Sequence, residues 1–341
     1  MFGAPIPGIL ARHFLPVKLA RGLVSSQTVR CLFVMDPPQS VDVHHDSTFA
    51  VMLEAQARGY EVNYCLIGDL AMEHDTPVAI AHSVRLKAVQ GQHLDIESSR
   101  KIDLRDMDAI FMRKDPPFDM EYVFATYILE AAEPDALVVN KAAGLRGNNE
   151  KLYILSFPEL CPETTVASRA DVLIAFQERL GGPMVIKPLD GKGGEGIFVV
   201  GADDPNRNVI IEISTRYGAR PVMAQRYLPE ARLGDKRILI IDGKFEGALL
   251  RVPSGSDHRG NMVAGATTEQ GILTPREEQI VSALGPRLVE DGHLFVGIDV
   301  IGELITEINV TSPTGIHEIN QLDGRRVEAA IIDCIERRAS K

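Results

Sequence analysis

The chain has 341 residues, enough for two or three domains with buried cores, and its 45% hydrophobic and 24% charged residues are those of a soluble globular protein. A formal net charge of −11 argues against a general nucleic-acid binder, because phosphate backbones demand a cationic face, yet leaves room for a small anionic ligand held by local arginines. No apolar run approaches the length of a membrane span, and Cys31, Cys65, Cys161 and Cys334 lack C-x-x-C spacing, so they read as free thiols of a reducing compartment.

Residues 1–28 contain Arg12, Lys18 and Arg21 and no acid. Such a leader is compatible with an organelle transit peptide, an upstream translation start or a disordered extension, and it is set apart from the fold. "VRCLFVMDP" then predicts a buried strand. "DSTFAVMLEAQARGYEVNYCLI" predicts a helix with Asp46 or Ser47 as N-cap and a stop at Gly59, followed by a second strand. Strand, helix, strand with short connections points to a parallel sheet. After a less regular segment, "MDAIFMRKDPPFD" is a strand running into a charged turn, "EYVFATYILEAAE" a helix and "ALVVN" a strand, which closes a first α/β domain at residues 29–139.

Residues 140–338 form the second part, divided into 140–220 and 221–338. "ADVLIAFQERLGG" reads as a helix with a glycine stop, "RPVMAQRYLP" as a strand, and "KRILIIDG" with "KFEGALLRV" as a hairpin turning at Asp242 and Gly243. The stretch 253–271 is rich in Gly, Ser and Thr, as expected of a lid loop. "PREEQIVSALGPRLVEDG" is helical, "LFVGIDVIG" and "LITEINV" are strands, and "RRVEAAIIDCIERRA" is a closing helix.

Chemistry enters with "KPLDGKGGEGIF", residues 187–198. Its glycines satisfy G-x-G-x-x-G, but the β-branched run that follows predicts a strand, so the dinucleotide reading fails. The P-loop reading fails too, because the lysine precedes the glycines. What remains is a glycine-rich turn between antiparallel strands, either an ordinary hairpin or a cover whose N–H groups close over phosphate. Asp299 lies on one strand, and Glu307 and Asn309 share a face of the next, an oxygen-only set suited to Mg²⁺ or a water-facing polar edge. Lys141, Lys187, Arg251 and Arg259 sit at strand ends or in the long loop, where they could meet a polyphosphate. H-R-D and D-F-G kinase sequences, H-E-x-x-H and G-x-S-x-G are absent from the sequence, so protein-kinase, zinc and hydrolytic-triad chemistry lack sequence support.

The order of "IKPLDGKGGEGIF", "MAQRYLP", "GDKRILIIDG", "RVP…RGN" and "DVIGELITEINVTSPTG", with "MRKDPPFD", "NEKLY" and "PET", resembles the ATP-grasp superfamily and, within it, the bacterial-type glutathione synthetases. The resemblance runs over residues 29–338 and implies an N-terminal parallel-sheet domain followed by a two-subdomain ATP-grasp fold, α/β in class. It implies ATP-dependent joining of γ-glutamylcysteine and glycine through an acyl phosphate, with Mg²⁺ or Mn²⁺. Carried over, Lys141, Lys187, Gly191, Gly193, Gly194 and Gly196 would meet phosphates, Gln225, Arg226, Tyr227 and Leu228 adenine, and Asp235 the ribose. Asp299, Glu307 and Asn309 would hold metal. Arg251, Lys187 and Arg259 would act on the reacting groups, and Asp46, Ser47, Arg113, Arg251, Arg259 and Ser312 would bind substrate. The chain departs from the family pattern at Ala142, Arg226 and Ala266. The resemblance further implies a cytoplasmic homotetramer, with no nucleic-acid or membrane partner. The alternatives are a sister carboxylate–amine ligase with other substrates and a silent nucleotide-binding protein.

Overall fold

The computed structural model describes residues 28–133, 135–191, 193–253 and 267–339. The leader expectation, all but residue 28, falls outside these, as do Arg259, Ala266 and most of the expected lid.

The first part contains β1 (Arg30–Val34), α1 (Ser47–Ala57), β2 (Glu61–Cys65), β3 (Leu70–Glu73), β4 (Thr76–Leu86), β5 (Leu94–Asp103), β6 (Ala109–Met112), α2 (Met120–Glu130) and β7 (Leu137–Val139). β1 pairs in parallel with β2 and β6, and β6 with β7, which is the expected parallel core. β1 is inaccessible from Cys31 to Val34, as an apolar strand covered on both faces must be. The segment passed over as irregular adds β3, β4 and β5 antiparallel to that core, so the sheet as a whole is mixed, in the order β3-β4-β2-β1-β6-β7 with β5 outside β4. Asp46 caps α1, accepting from Phe49 N at 2.8 Å, and Gly59 turns the chain out at φ +83°.

Next come α3 (Ala142–Gly147), β8 (Thr164–Ala167), α4 (Ala170–Leu180), β9 (Met184–Pro188), β10 (Phe198–Val200), α5 (Arg207–Ser214) and β11 (Val222–Arg226). β10, β9, β11 and β8 form an antiparallel sheet in that order, so the glycine-rich segment is the connection of an antiparallel pair, as its sequence predicts. β11 lies past residue 220, where the sequence expectation divides the subdomains, because it is sandwiched between β8 and β9.

The last part holds β12 (Asp235–Ile241), β13 (Lys244–Val252), β14 (Thr267–Gln270), α6 (Pro275–Glu290), β15 (Phe295–Ile301), β16 (Leu304–Asn309), α7 (Ile316–Asp323) and α8 (Val327–Ala339). The strands form one sheet, β14-β13-β12-β15-β16. β14 falls within the stretch expected to be loop. Its residues 267–270 pair with residues 249–252 of β13, which anchors the C-terminal end of that stretch.

The apolar cores show how these sheets are joined. One cluster runs from Leu32 and Ile110 of the first sheet to Ile238 and Ile298 of the last, and a second from Phe33 and Phe49 to Leu239 and Ile332. The sheet carrying the glycine turn has a separate core, Leu173, Phe176, Met184, Ile186 and Val222 among it. Its other face reaches the common core through Met223 of β11, with Val166 of β8 packed against it.

Candidate active site

Strand register builds the site. Asp235 faces Arg251 across β12 and β13, Arg237 faces Asp299 across β12 and β15, and Asp299 faces Glu307 across β15 and β16. Side chains two residues apart on a strand share a face, so five charges from four strands meet on one side of the sheet. Arg237 Nε donates to Asp299 Oδ1 at 2.6 Å and its Nη2 to Oδ2 at 3.2 Å. Arg251 reaches Asp299 at 3.0 Å and donates from Nε to Asp235 Oδ1 at 2.8 Å. Burial opposes charge on Asp299, but the two guanidiniums outweigh it and hold the carboxyl well below the usual carboxylate range. Asp235, with a smaller share of that positive charge, is pushed up by burial.

Two lysines complete the cluster. Lys151 is 4% exposed and donates from Nζ to Glu307 Oε1 at 2.9 Å and to the carbonyl of Gly191 at 2.8 Å. Burial works against its charge, but Glu307 prevails and raises its pKa. Lys187, near the end of β9, donates to Gln225 Oε1 at 2.7 Å, and Gln225 Nε2 passes the contact to Thr164 Oγ1 at 3.0 Å. Desolvation pulls the Lys187 ammonium down to about 8, with Lys151 adding to the effect against the pull of Glu307 and Asp299. Gly193, Gly194 and Gly196 have φ of 63°, 78° and 68°, which explains why this turn is written in glycine. A cleft beside it is lined by Pro116 and Phe118 of the first domain and by Glu150, Lys151, Gly191 and Thr311.

Asn309 lies at the cluster's edge, its Nδ2 donating to Gly297 O at 3.1 Å and leaning on Asp299 Oδ2 at 3.4 Å. Three of the expected substrate residues are joined to the segment just beyond it. Ser47 Oγ accepts from the N–H groups of Gly315 and Ile316, each at 3.2 Å. Arg113 donates to Pro313 O at 2.9 Å and to Thr48 Oγ1 at 3.0 Å, and its third nitrogen, Nη1, is buried without a hydrogen-bond partner. Asp46 is tied in through its carbonyl, which His317 Nε2 approaches at 3.1 Å. Ser312 is partly buried in the same segment.

Lys141 has no side-chain hydrogen bond to this cluster among the described residues. It is the exposed N-cap of α3, its N–H donates to Gly292 O at 3.0 Å, and its Cβ lies over Gly292 so closely that any side chain there would collide. Arg226 is exposed and paired with Glu163 at the outer end of β11, next to the partly buried Tyr227 and Leu228. The sequence reading missed Arg237, Lys151, Glu150 and Asn149. "NEKLY" contains three of them but shows neither a strand nor a helical period. Arg237 could have been found by laying "DKRI" against "GID" as antiparallel neighbours.

An antiparallel sheet bearing buried acids and arginines, faced by a small separate sheet with a lysine and a glycine turn, defines an ATP-grasp ligase. Solved structures agree in fold: a RimK-domain ATP-grasp protein from Sphaerobacter thermophilus superposes with TM-score 0.61 at 19% identity over 90% of this chain and 99% of its own. A D-cycloserine synthetase superposes with TM-score 0.60 at 14% identity over 89% and 99%. Residues 29–146 match the N-terminal domain, and 150–324 the ATP-grasp domain, of prokaryotic glutathione synthetase. Glutathione synthetases of Vibrio parahaemolyticus and Gloeobacter violaceus are each 47% identical, over 89% of this chain and 97% and 96% of theirs. That of Synechocystis is 43% identical over 91% and 99%. The chain belongs to the prokaryotic glutathione synthetase family and is an ATP-dependent ligase that forms glutathione.

Proposed function

We propose that Lys151, Lys187 and the 191–196 turn hold the phosphates of ATP, that the 225–228 strand end lies along adenine, and that Asp235 lies by the ribose. Lys141 is proposed for the phosphates from the family resemblance, and Lys151 joins it through its contacts with Gly191 and Glu307. The observation that carries this reading is the shared face of Asp235, Arg237, Arg251, Asp299 and Glu307, with Lys151 and Lys187 brought to it. Its charges are closed on one another, and a triphosphate with its cation would offer both signs new partners.

Mg²⁺ fits the donor set. Among the described residues no three His, Cys, Asp or Glu side chains converge as a metal site, so an ion here would take Glu307, Asn309 and Asp299 in part and draw its other oxygens from phosphate and water. When bound it would neutralise charge on the transferring phosphoryl group. The chain's own part is positional. Arg237 and Asp235 hold Arg251 and Asp299 in place, Lys187 meets the γ-phosphoryl as it passes to the cysteinyl carboxylate of γ-glutamylcysteine, and Arg251 faces the charge that grows when the amine of glycine attacks the resulting acyl phosphate. Arg113 and Ser47, bound to the 313–316 segment, would set the peptide, with Ser312 and Arg259.

Phosphate release by the purified protein tests this reading. Release with ATP, Mg²⁺, γ-glutamylcysteine and glycine together, and not with either substrate alone, is the expected result, and turnover with another peptide or amine pair would move the reading to a sister ligase. A cytoplasmic homotetramer is proposed from family resemblance, and among the described residues no helix is long and apolar enough to cross a membrane.

A further inference from the structure

Residues 149–151 touch both walls of the cleft. Asn149 Nδ2 donates to Leu189 O at 2.9 Å, where the chain enters the glycine turn, and its Oδ1 accepts from the N–H groups of Lys151 and Leu152, each at 3.1 Å. Lys151 bridges Gly191 and Glu307. Glu150, between them, grips the other wall. Its main-chain oxygen accepts from Ile308 N at 2.9 Å, and its Oε1 accepts from Val310 N and Thr311 N, each at 2.9 Å, and from Thr311 Oγ1 at 2.7 Å.

These contacts fall on the residues that follow Glu307 and flank Asn309. Beyond Asn309 the strand has ended, so the N–H groups of Val310 and Thr311 no longer have a ladder partner, and Oε1 supplies one to both. Burial, with Glu307 beyond it, pushes the Glu150 carboxyl up, but either protonation state can present an acceptor oxygen to the three donors.

We propose that Glu150 is a positioning residue for the ligase reaction, fixing the end of β16, and with it Asn309 and Ser312, against the glycine turn that Asn149 and Lys151 hold. The inference rests on the reading that Glu307 and Asn309 serve the metal and phosphates. Outer partners of this kind act through the groups they orient. An acceptor oxygen, rather than charge, is what Val310 and Thr311 require.

The test is a graded series read by the KM for ATP, the KM for glycine, kcat, and amide hydrogen exchange of residues 308–311. Glu150→Gln keeps an acceptor in place and is expected to stay close to the parent. Thr311→Val removes one of the three bonds and should raise the KM for ATP by a few-fold. Glu150→Ala removes all three and should cost about ten- to hundredfold in kcat/KM for ATP, with the glycine KM unchanged and exchange at 308–311 accelerated. Should Glu150→Ala fail to fold, the Gln and Val variants still order the effect. The proposal is overturned if Glu150→Gln is as impaired as Thr311→Val or worse, or if exchange accelerates while the KM for ATP stays put. Glu307→Gln serves as control: unchanged turnover there would sink the underlying reading, whereas its loss beside a silent Glu150 and Thr311 series would sink the positioning role alone.

Discussion

Lys187 shows how a single side chain can set the pH range of the enzyme. Phosphate binding favours the ammonium form, and desolvation has brought its pKa down to about 8 from the ordinary 10.5. Below about 8 the charge is present, and above it the charge is lost, so the KM for ATP should rise as pH passes through about 8. Lys187→Arg, which stays charged, should flatten that rise in a steady-state pH profile. The same shift acts on stability with a defined sign. Between about 8 and 10.5 the unfolded chain binds more protons at this lysine than the folded one, so its contribution to stability increases with pH there, and the cost of burying the charge is fully felt below that window. Lysines also show how far residue roles were legible. Lys187 and Lys141 each end an apolar strand and could be picked out by that pattern, and the Lys141 side chain lies over Gly292. Lys151 escaped the pattern because its position depends on Asn149, whose side chain accepts from the N–H of Lys151 and ties the turn to Leu189, a contact with no periodic signature.

Elements written in strong local terms were legible, and those defined by neighbours were not. The turn between β12 and β13 is an example of the first kind: Asp242 and Gly243 have φ of 50° and 73°, as a tight two-residue hairpin connection requires. β5 belongs to the second kind, because its residues 95–101 are all exposed, and a solvated edge strand shows no apolar alternation. α7 was missed because a Gly at its N-cap and an eight-residue length give little helical signal, although Ser47 of α1 receives the N–H groups at its start. The hairpin's turn also has a tertiary partner. A Cβ added at Gly285 in α6 would lie 2.2 Å from Gly243 O, and one at Gly243 2.8 Å from Gly285 O, so helix and hairpin approach backbone to backbone. Gly285→Ala gains helix propensity, worth about 1 kcal/mol. It must nevertheless push α6 off the hairpin, an overpacking cost of about 1–3 kcal/mol. The expected balance is a lowered thermal midpoint, read by circular dichroism, whereas the same change in a solvent-facing helical glycine would raise it.

At the scale of the molecule, the first domain and the large sheet share their cores, whereas the small sheet buries one face in a core of its own and reaches the common core through Met223 and Val166. Composition and element order could suggest the parts, but not which of them fuse, because that depends on long-range contacts. Asn140 carries one such junction. It follows β7 and is 4% exposed. Its Nδ2 donates to Phe295 O and Val310 O, each at 2.7 Å, while its Oδ1 accepts from Leu294 N at 2.7 Å and Phe295 N at 2.8 Å. Both donors and both acceptor sites of the amide are thus used, binding the end of the first sheet to β15 and to the residue that Glu150 also grips. Asn140→Asp preserves shape and the bonds from Leu294 and Phe295, but turns a carboxylate oxygen toward two carbonyl oxygens. The result is an unpaired buried charge facing like partial charges, expected to cost about 3 kcal/mol or more in a urea unfolding curve. Protonation would restore one bond, so the loss should shrink in acid. Because Val310 follows Asn309, phosphate release should fall together with stability. If Asn140 merely filled space, Asn140→Asp would leave both the urea midpoint and turnover where they were, since the two side chains differ little in volume.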